Sequence, residues 1–313
     1  MTKKEKIELK KGDYEGEVRD GVPHGKGSIF YKNGKFKHGG EYNGEWKNGL
    51  EDGYGIISYY FGKDDEDFKD KDLNLDLNDL FNKLPGRGYW GEFKKGHFHG
   101  KGVLKDTINE LSDNLGEARS LFDDKSEGLD SYSLGLYVGE FREGLRHGKG
   151  KFKVDLEHTN IFYDDTFVDN YDGLWKNGLP EGKGILINTE GSKYEGEFIK
   201  GKIHGHGTLY GRVTLNGAYI EGNEKYIGEF KHGVVEGHGT LSWDDGGKYV
   251  GEFKEGEMHG QGTMTSPDGA KLVGEFKEGE MHGQGTMTSP DGVKLEGMWH
   301  KGEFVEVDES KKN

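Results

Sequence analysis

The stretch GEFKEGEMHGQGTMTSPDG occupies residues 251–269 and returns unchanged at 274–292. Each copy holds one histidine and five glycines, so the segment is either a small site made twice or one rung of a ladder. The surrounding chain favours the ladder. Ten related units start at Tyr14, Tyr42, Tyr89, Tyr137, Tyr171, Tyr194, Tyr226, Tyr249, Leu272 and Leu295. The last four starts are 23 residues apart, as are Tyr171 and Tyr194, and the longer steps carry insertions.

Inside a unit, glycine stands two residues after the start, an aromatic residue four after it in nine units (Val18 is the exception), and glycine again seven after it. Nine units continue with His, Asp or Glu, then Gly-x-Gly, then an apolar residue two further on. Tyr249, Gly251 and Phe253 share one parity while Val250, Glu252 and Lys254 share the other, a period of two that predicts a β-hairpin per unit. Gly260, Gly262 and Met264 are expected on one face, with neighbouring rings lying over bare glycine backbone. The repeat aromatics Tyr194, Phe198, Tyr226, Phe230, Tyr249, Phe253, Phe276 and Trp299 form the expected core. Ser-Pro-Asp-Gly at 266–269 and 289–292 is a turn between hairpins, because proline presets its backbone angle and glycine tolerates positive φ.

One hairpin cannot bury its own apolar face, so stability must come from neighbours stacked along the chain. The fold expected is all-β: an elongated single-layer antiparallel β-sheet ribbon of stacked hairpins with short helical insertions. Twenty strands would extend roughly 95 Å at ~4.8 Å per strand. Residues 1–13 are expected to cap the N-terminal end, 14–170 to hold units one to four, 171–304 units five to ten, and 305–313 a tail.

Composition agrees with a thin sheet. Only 31% of the 313 residues are hydrophobic, 32% are charged and 56 are glycine, too little apolar material for a large globular core. An aromatic content of 12% nevertheless exceeds what disordered chains carry. The absence of cysteine excludes disulfides, thiolate zinc sites and cysteine nucleophiles. MTKKEKIELKK at the start has no apolar signal core, and no apolar run approaches the ~18–20 residues of a membrane span. A soluble, cytoplasmic chain is the expectation. A formal charge of −15 argues against nucleic acid and against acidic lipid surfaces, both of which reward clustered Lys and Arg.

Tyr-x-Gly-Glu-Phe-x-x-Gly-x-x-His-Gly-x-Gly at 249–262 and its nine relatives resemble MORN (membrane occupation and recognition nexus) repeats over residues 14–304 apart from the insertions. The resemblance implies antiparallel hairpin stacks that tether, scaffold or dimerise, with lipid binding reported for some members. It implies no single chemistry. No attached catalytic domain is visible in the sequence, so function must reside in the repeats and their insertions.

The tempting chemistry dissolves on geometry. His24, His99, His147, His204, His259 and His282 fill one slot in six units, yet equivalent slots lie two strands, roughly 10 Å, apart and cannot share a metal. Asp52, Glu181 and Glu236 take that slot elsewhere, which suits a turn side chain accepting a backbone hydrogen bond. Glu17, Glu45, Glu92, Glu140, Glu197, Glu229, Glu252 and Glu275 are expected on a solvated face in cross-strand charge pairs, since carboxylates on an open sheet have nothing to exclude water. The Gly-x-Gly pieces lack the Gly-Lys-Ser/Thr and helix of a phosphate loop. Asp70, Asp72 and Asn74 match the first calcium-loop spacings, but Leu75 and Phe81 stand where glycine and glutamate belong. No catalytic residue, metal or cofactor is assigned.

Insertions at 61–88, 106–136 and 154–170 carry net charges of −3, −6 and −5, nearly all of the chain's acidity. Leu73, Leu77, Leu80, Phe81 and Leu84 are spaced as one helical face ahead of Pro85-Gly86. Ile108, Leu111, Leu115, Leu121 and Phe122 are spaced likewise after a Thr107-x-x-Glu110 capping box. The third insertion reads as extended. These apolar faces either fold back on the ribbon's aromatic face or stay open to a partner, and in the second case the ten residues just named are the partner-binding set. Asn33-Gly34 and Asn216-Gly217 mark tight turns in lengthened hairpins.

The reading that follows is a non-catalytic scaffold or adaptor. Its acidic N-terminal half recognises a protein, cytoskeletal or membrane-associated, and its regular C-terminal half spaces or self-associates as a homodimer. A peripheral lipid-binding tether, phosphoinositide included, is the alternative, which the acidity disfavours. An enzymatic site beneath the insertions is the weakest reading.

Overall fold

The structure is a computed structural model that describes residues 3–32, 40–58, 77, 80, 84, 87–107, 134–154, 170–187, 192–211, 214–215, 218–219 and 224–305. Its strands form a 21-stranded antiparallel sheet, with a separate two-stranded pairing of Thr214–Leu215 and Ala218–Tyr219. The chain divides into two compact units, residues 1–181 and 182–313.

In the first unit Lys3–Leu9 is an edge strand paired with Gly12–Arg19. Hairpins Gly12–Arg19/Val22–Tyr31, Gly40–Lys47/Leu50–Ser58, Gly88–Lys94/His97–Thr107 and Leu134–Arg142/Leu145–Val154 then pair in chain order, and Asn170–Lys176 follows. In the second unit residues 182–187 of the strand Leu179–Ile187 pair with the hairpin Lys193–Ile199/Lys202–Tyr210. After it come Lys225–Lys231/Val234–Ser242, Lys248–Lys254/Glu257–Thr265, Lys271–Lys277/Glu280–Thr288 and the short Lys294–His300/Glu303–Val305.

Each hairpin turns in two residues that both have positive φ, as in Lys200 (48°) and Gly201 (79°), the backbone sense that matches the twist of the flanking strands. The turn glycine of one repeat also donates its N–H to the repeat before it: Gly233 to the Ile203 carbonyl at 2.8 Å and Gly256 to that of Val235 at 3.0 Å. Stacked neighbours are thereby stitched outside the regular ladder.

The aromatic face holds the core. Tyr194 lies over the paired glycines Gly196 and Gly207, where an added Cβ would sit 2.3 Å from its hydroxyl oxygen and 2.4 Å from a ring carbon, and Tyr226 and Tyr249 repeat the arrangement. Tyr42, Tyr89, Tyr137, Tyr194, Tyr226 and Tyr249 each meet the aromatic residue of their own repeat and that of the next edge-on. Tyr194 lies 5.3 Å from Phe198 and 5.2 Å from Phe230; Tyr226 then lies 5.2 Å from Phe230 and 5.0 Å from Phe253. Such edge-to-face pairs contribute about 0.5–1.5 kcal/mol each beyond burial. This chain of rings buries large side chains on one face of a sheet: Tyr194, Phe198, Tyr226 and Tyr249 are almost wholly inaccessible. Where tryptophan replaces phenylalanine, its indole N–H also binds a glycine carbonyl of the preceding repeat, as from Trp299 to Gly285 at 3.1 Å.

Gly260, Gly262 and Met264 keep the expected parity against the following strand, where they face Phe276, Gly274 and Leu272. The strand Glu257–Thr265 bulges against its partner, Gly251 facing Gly262 while Glu252 faces His259. At Gly260 (φ 57°) an added Cβ would meet the Glu252 carboxylate, whereas at Gly262 it would meet the Tyr249 ring.

Candidate functional site

The repeated polar residues serve the backbone. Eight tyrosine hydroxyls donate to the carbonyl three residues on, for example Tyr194 to Glu197 (3.1 Å) and Tyr42 to Glu45 (2.8 Å). The bulge frees that carbonyl from the ladder. Burial, with the nearby glutamate charge second, pushes the Tyr14 and Tyr249 hydroxyls up to about 12. Burial likewise raises Tyr89 well above the ordinary tyrosine value.

The glutamates close the same bulge from the other side. Glu92, Glu140, Glu229 and Glu252 accept the N–H of Lys101, Lys149, His238 and Gln261 at 3.0–3.3 Å. The expected charge pairing of these carboxylates is thus replaced by a bond to a backbone amide that the bulge leaves unpaired on that side. The histidine slot lies in a strand, not in the turn. Three of its members accept backbone hydrogen bonds, but from the turn of the following repeat: Asp52 from Lys95 (3.2 Å), His204 Nδ1 from His232 (3.4 Å) and Glu236 from Glu255 (3.1 Å), while His24 and His147 have a buried Nδ1 with no such bond. Among the described residues no group of three or more His, Asp or Glu is placed to hold a metal ion.

Two charged side chains interrupt the first unit's aromatic face. Glu51 is 1% exposed, accepts from the Tyr31 hydroxyl, and pairs at 2.9 Å with Lys11, whose ammonium lies 4.6 Å from the centre of the Trp46 ring. Arg146 lies 5.0 Å from the Trp175 ring, and burial lowers its guanidinium to about 10, still protonated at neutral pH. Both occupy places that are apolar in most repeats.

A second face, made by the residues that alternate with the tyrosines, differs between the units. In the first unit one cross-strand row runs Ser28, Asn43, Ile56, Trp90, Val103, Val138, Lys151, Asp172. Its apolar middle is covered. Leu80 and Leu84 are buried with Trp90, Val103 and Leu136, and Leu77, Ile56 and Val138 pack against them. Leu77 and Leu80 are helical, and the Leu84 N–H donates to the Leu80 carbonyl at 3.1 Å. Lys105 holds the Leu84 carbonyl at 2.8 Å, and Arg87 pairs with Asp106 beside it.

The described leucines of the first insertion, Leu77, Leu80 and Leu84, therefore pack on the face opposite the tyrosines, not on the aromatic face. The tyrosine side is already closed by its own rings, whereas Trp90 and Val103 leave apolar area to cover. Of the residues proposed for partner binding, Leu80 and Leu84 are inside this cluster and Leu77 borders it. Leu73, Phe81, Ile108, Leu111, Leu115, Leu121 and Phe122 lie outside the described residues, as do Asp70, Asp72, Asn74 and the Asn33-Gly34 turn.

In the second unit the equivalent row runs Ile185, Glu195, Thr208, Ile227, Thr240, Val250, Thr263, Val273, Thr286, Glu296. Here Ile227, Val250 and Val273 are 47%, 45% and 47% exposed. Next to it runs Lys193, Tyr210, Lys225, Ser242, Lys248, Thr265, Lys271, Thr288, Lys294, with a lysine on every second strand. A concavity of about 620 Å³ at the start of this face is lined by Lys183, Ile185, Thr208, Tyr210 and Ile227 among others. These two rows were missed in the sequence, although their signal is there: the residue before each unit's start is lysine in units six to ten.

The MORN repeat family matches at residues 14–36, 42–60, 89–107, 137–153, 171–193, 194–212, 226–248, 249–271 and 273–294, more than half of the chain. The chain belongs to the MORN-repeat family. Its nine matched MORN repeats begin at or within one residue of the first nine units read from the sequence, and the tenth is the short terminal hairpin from Leu295. Among the described residues no helix is long and apolar enough to cross a membrane.

Proposed function

We propose that this MORN-repeat chain is a non-catalytic scaffold that holds another protein on the face of repeats six to nine opposite the tyrosines. One observation carries the reading: Ile227, Val250 and Val273 stand about half exposed in one row with threonines between them, although the apolar middle of the same row in the first unit is covered by leucines of the chain itself. An apolar row left open on an otherwise charged surface is a contact surface. The covered insertion of the first unit stiffens the scaffold, and the face of the second unit receives the cargo.

A photoreactive amino acid placed at Val250 or Val273, with Asp244 in an exposed turn as control, tests the assignment in cells. A defined protein crosslinked from the two face positions, and binding the purified chain afterwards, is the expected result. Equal crosslinking from Asp244 would remove the face from the proposal.

A further inference from the structure

The open face carries its own description of what it would bind. From the register, three parallel stripes cross the strands of the second unit. The middle stripe is Thr208, Ile227, Thr240, Val250, Thr263 and Val273. One flank is the lysine row; the other is Glu229, His238, Glu252, Gln261 and Glu275. Lys193 is paired with Glu195 at 2.8 Å. Among the described residues no carboxylate lies within 4.0 Å of Lys225, Lys248, Lys271 or Lys294. Glu229 and Glu252 spend one oxygen on the backbone N–H of the bulge.

The spacing along these stripes is also specific. Equivalent residues recur every second strand, roughly 9.6 Å apart, while seven residues of α-helix advance about 10.5 Å. A helix laid across the strands, slightly tilted, would bring the same heptad position over Ile227, Val250 and Val273 in turn. In the first unit the apolar middle of the corresponding row is covered by the chain itself, Leu77, Leu80 and Leu84 packing in one cluster with Trp90, Val103 and Val138.

We infer that the open face of repeats six to nine binds an amphipathic helix of another protein, with apolar residues every seventh position and acidic residues along the flank that meets Lys225, Lys248, Lys271 and Lys294. This deepens the scaffold reading and rests on it. The cationic flank selects an acidic helix edge, and the glutamate flank opposes a second one, so the helix is fixed in rotation about its axis.

The test uses the full chain and synthetic three-heptad helical peptides with leucine at the core positions and one flank either glutamate or lysine, followed by fluorescence anisotropy. The glutamate peptide should bind, the lysine peptide should bind at least about tenfold more weakly, and the double variant Lys248→Glu with Lys271→Glu should invert that preference. Those lysines lie outside the buried core, so the variant should keep its unfolding midpoint, and circular dichroism checks the fold. Equal affinity for both peptides, or no inversion in the folded variant, overturns the inference. Phosphatidylcholine vesicles with and without phosphatidylserine form a second arm. Binding that needs phosphatidylserine and disappears in the double variant, with no peptide binding, would assign the lysine row to a membrane surface instead. Light scattering supplies a third: self-association abolished by Val250→Asp, again without peptide binding, would assign the face to a second copy. Failure of every peptide while Val250 still crosslinks to a defined cellular protein would overturn the helix and leave the scaffold reading standing.

Discussion

The two units of this chain share a backbone plan and differ in what lies on the face away from the tyrosines. At the position after the repeat start the first unit places Trp90 and Val138, and Leu77, Leu80 and Leu84 cover them. The second unit places Ile227, Val250 and Val273 there with nothing described above them. At the position before the start the first five units carry Asp13, Glu41, Gly88, Leu136 and Asn170, the last five Lys193, Lys225, Lys248, Lys271 and Lys294. The comparison teaches that the aromatic face is the core common to both units, while the other face is closed by the chain in the first and left open in the second.

Alkaline pH tests the shared face most severely. Tyrosines held up to about 12 or higher in the fold ionise near 10 when unfolded, so their stabilisation is intact below pH 10 and is lost as pH rises from there through about 12. Cooperative unfolding across that window, followed by circular dichroism, is expected in both units. Stability unchanged up to pH 12 would mean that the hydroxyls are not buried as described.

Glycine substitutions beneath the rings come next. Gly102→Ala in the first unit and Gly262→Ala in the second would each drive a methyl into a tyrosine ring, at 2.4 and 2.3 Å from the hydroxyl oxygen of Tyr89 and Tyr249, at a cost of about 3 kcal/mol in denaturant titrations. Similar losses at both sites would establish that the two units rest on one kind of core.

Leu80→Ala then separates them. It removes a fully buried side chain from the cover of Trp90 and should cost about 2–5 kcal/mol, with a red shift in tryptophan emission and faster amide exchange confined to the first unit. Equal exchange changes in repeats seven to nine would break the distinction between units. Val250→Thr, in the corresponding row of the second unit, should shift stability by no more than about 0.5 kcal/mol. A larger loss would mean that the row is covered after all.

Much of the fold was legible because the period-two pattern recurs in ten units and the Gly-x-Gly motif in nine. The tyrosine over bare glycine followed from parity alone. The roles of Glu252 and His259 did not, because both depend on a bulge that shifts the pairing after Gly251. The bulge itself leaves only a glycine in the sequence, and glycine has several other uses. The docking of Leu80 and Leu84 was legible as a helical face but not as to which side of the sheet it would choose.

The repeat period, the hairpin turns, the tyrosine over its own repeat's glycines and the acidity of the insertions were all determined by the sequence, because each depends on residues near one another in the chain. Which face closes and which stays open was decided only in the tertiary structure. Cross-strand register assembles residues 23 or more positions apart into rows, so the lysine stripe and the open apolar stripe exist as surfaces only once neighbouring hairpins are paired.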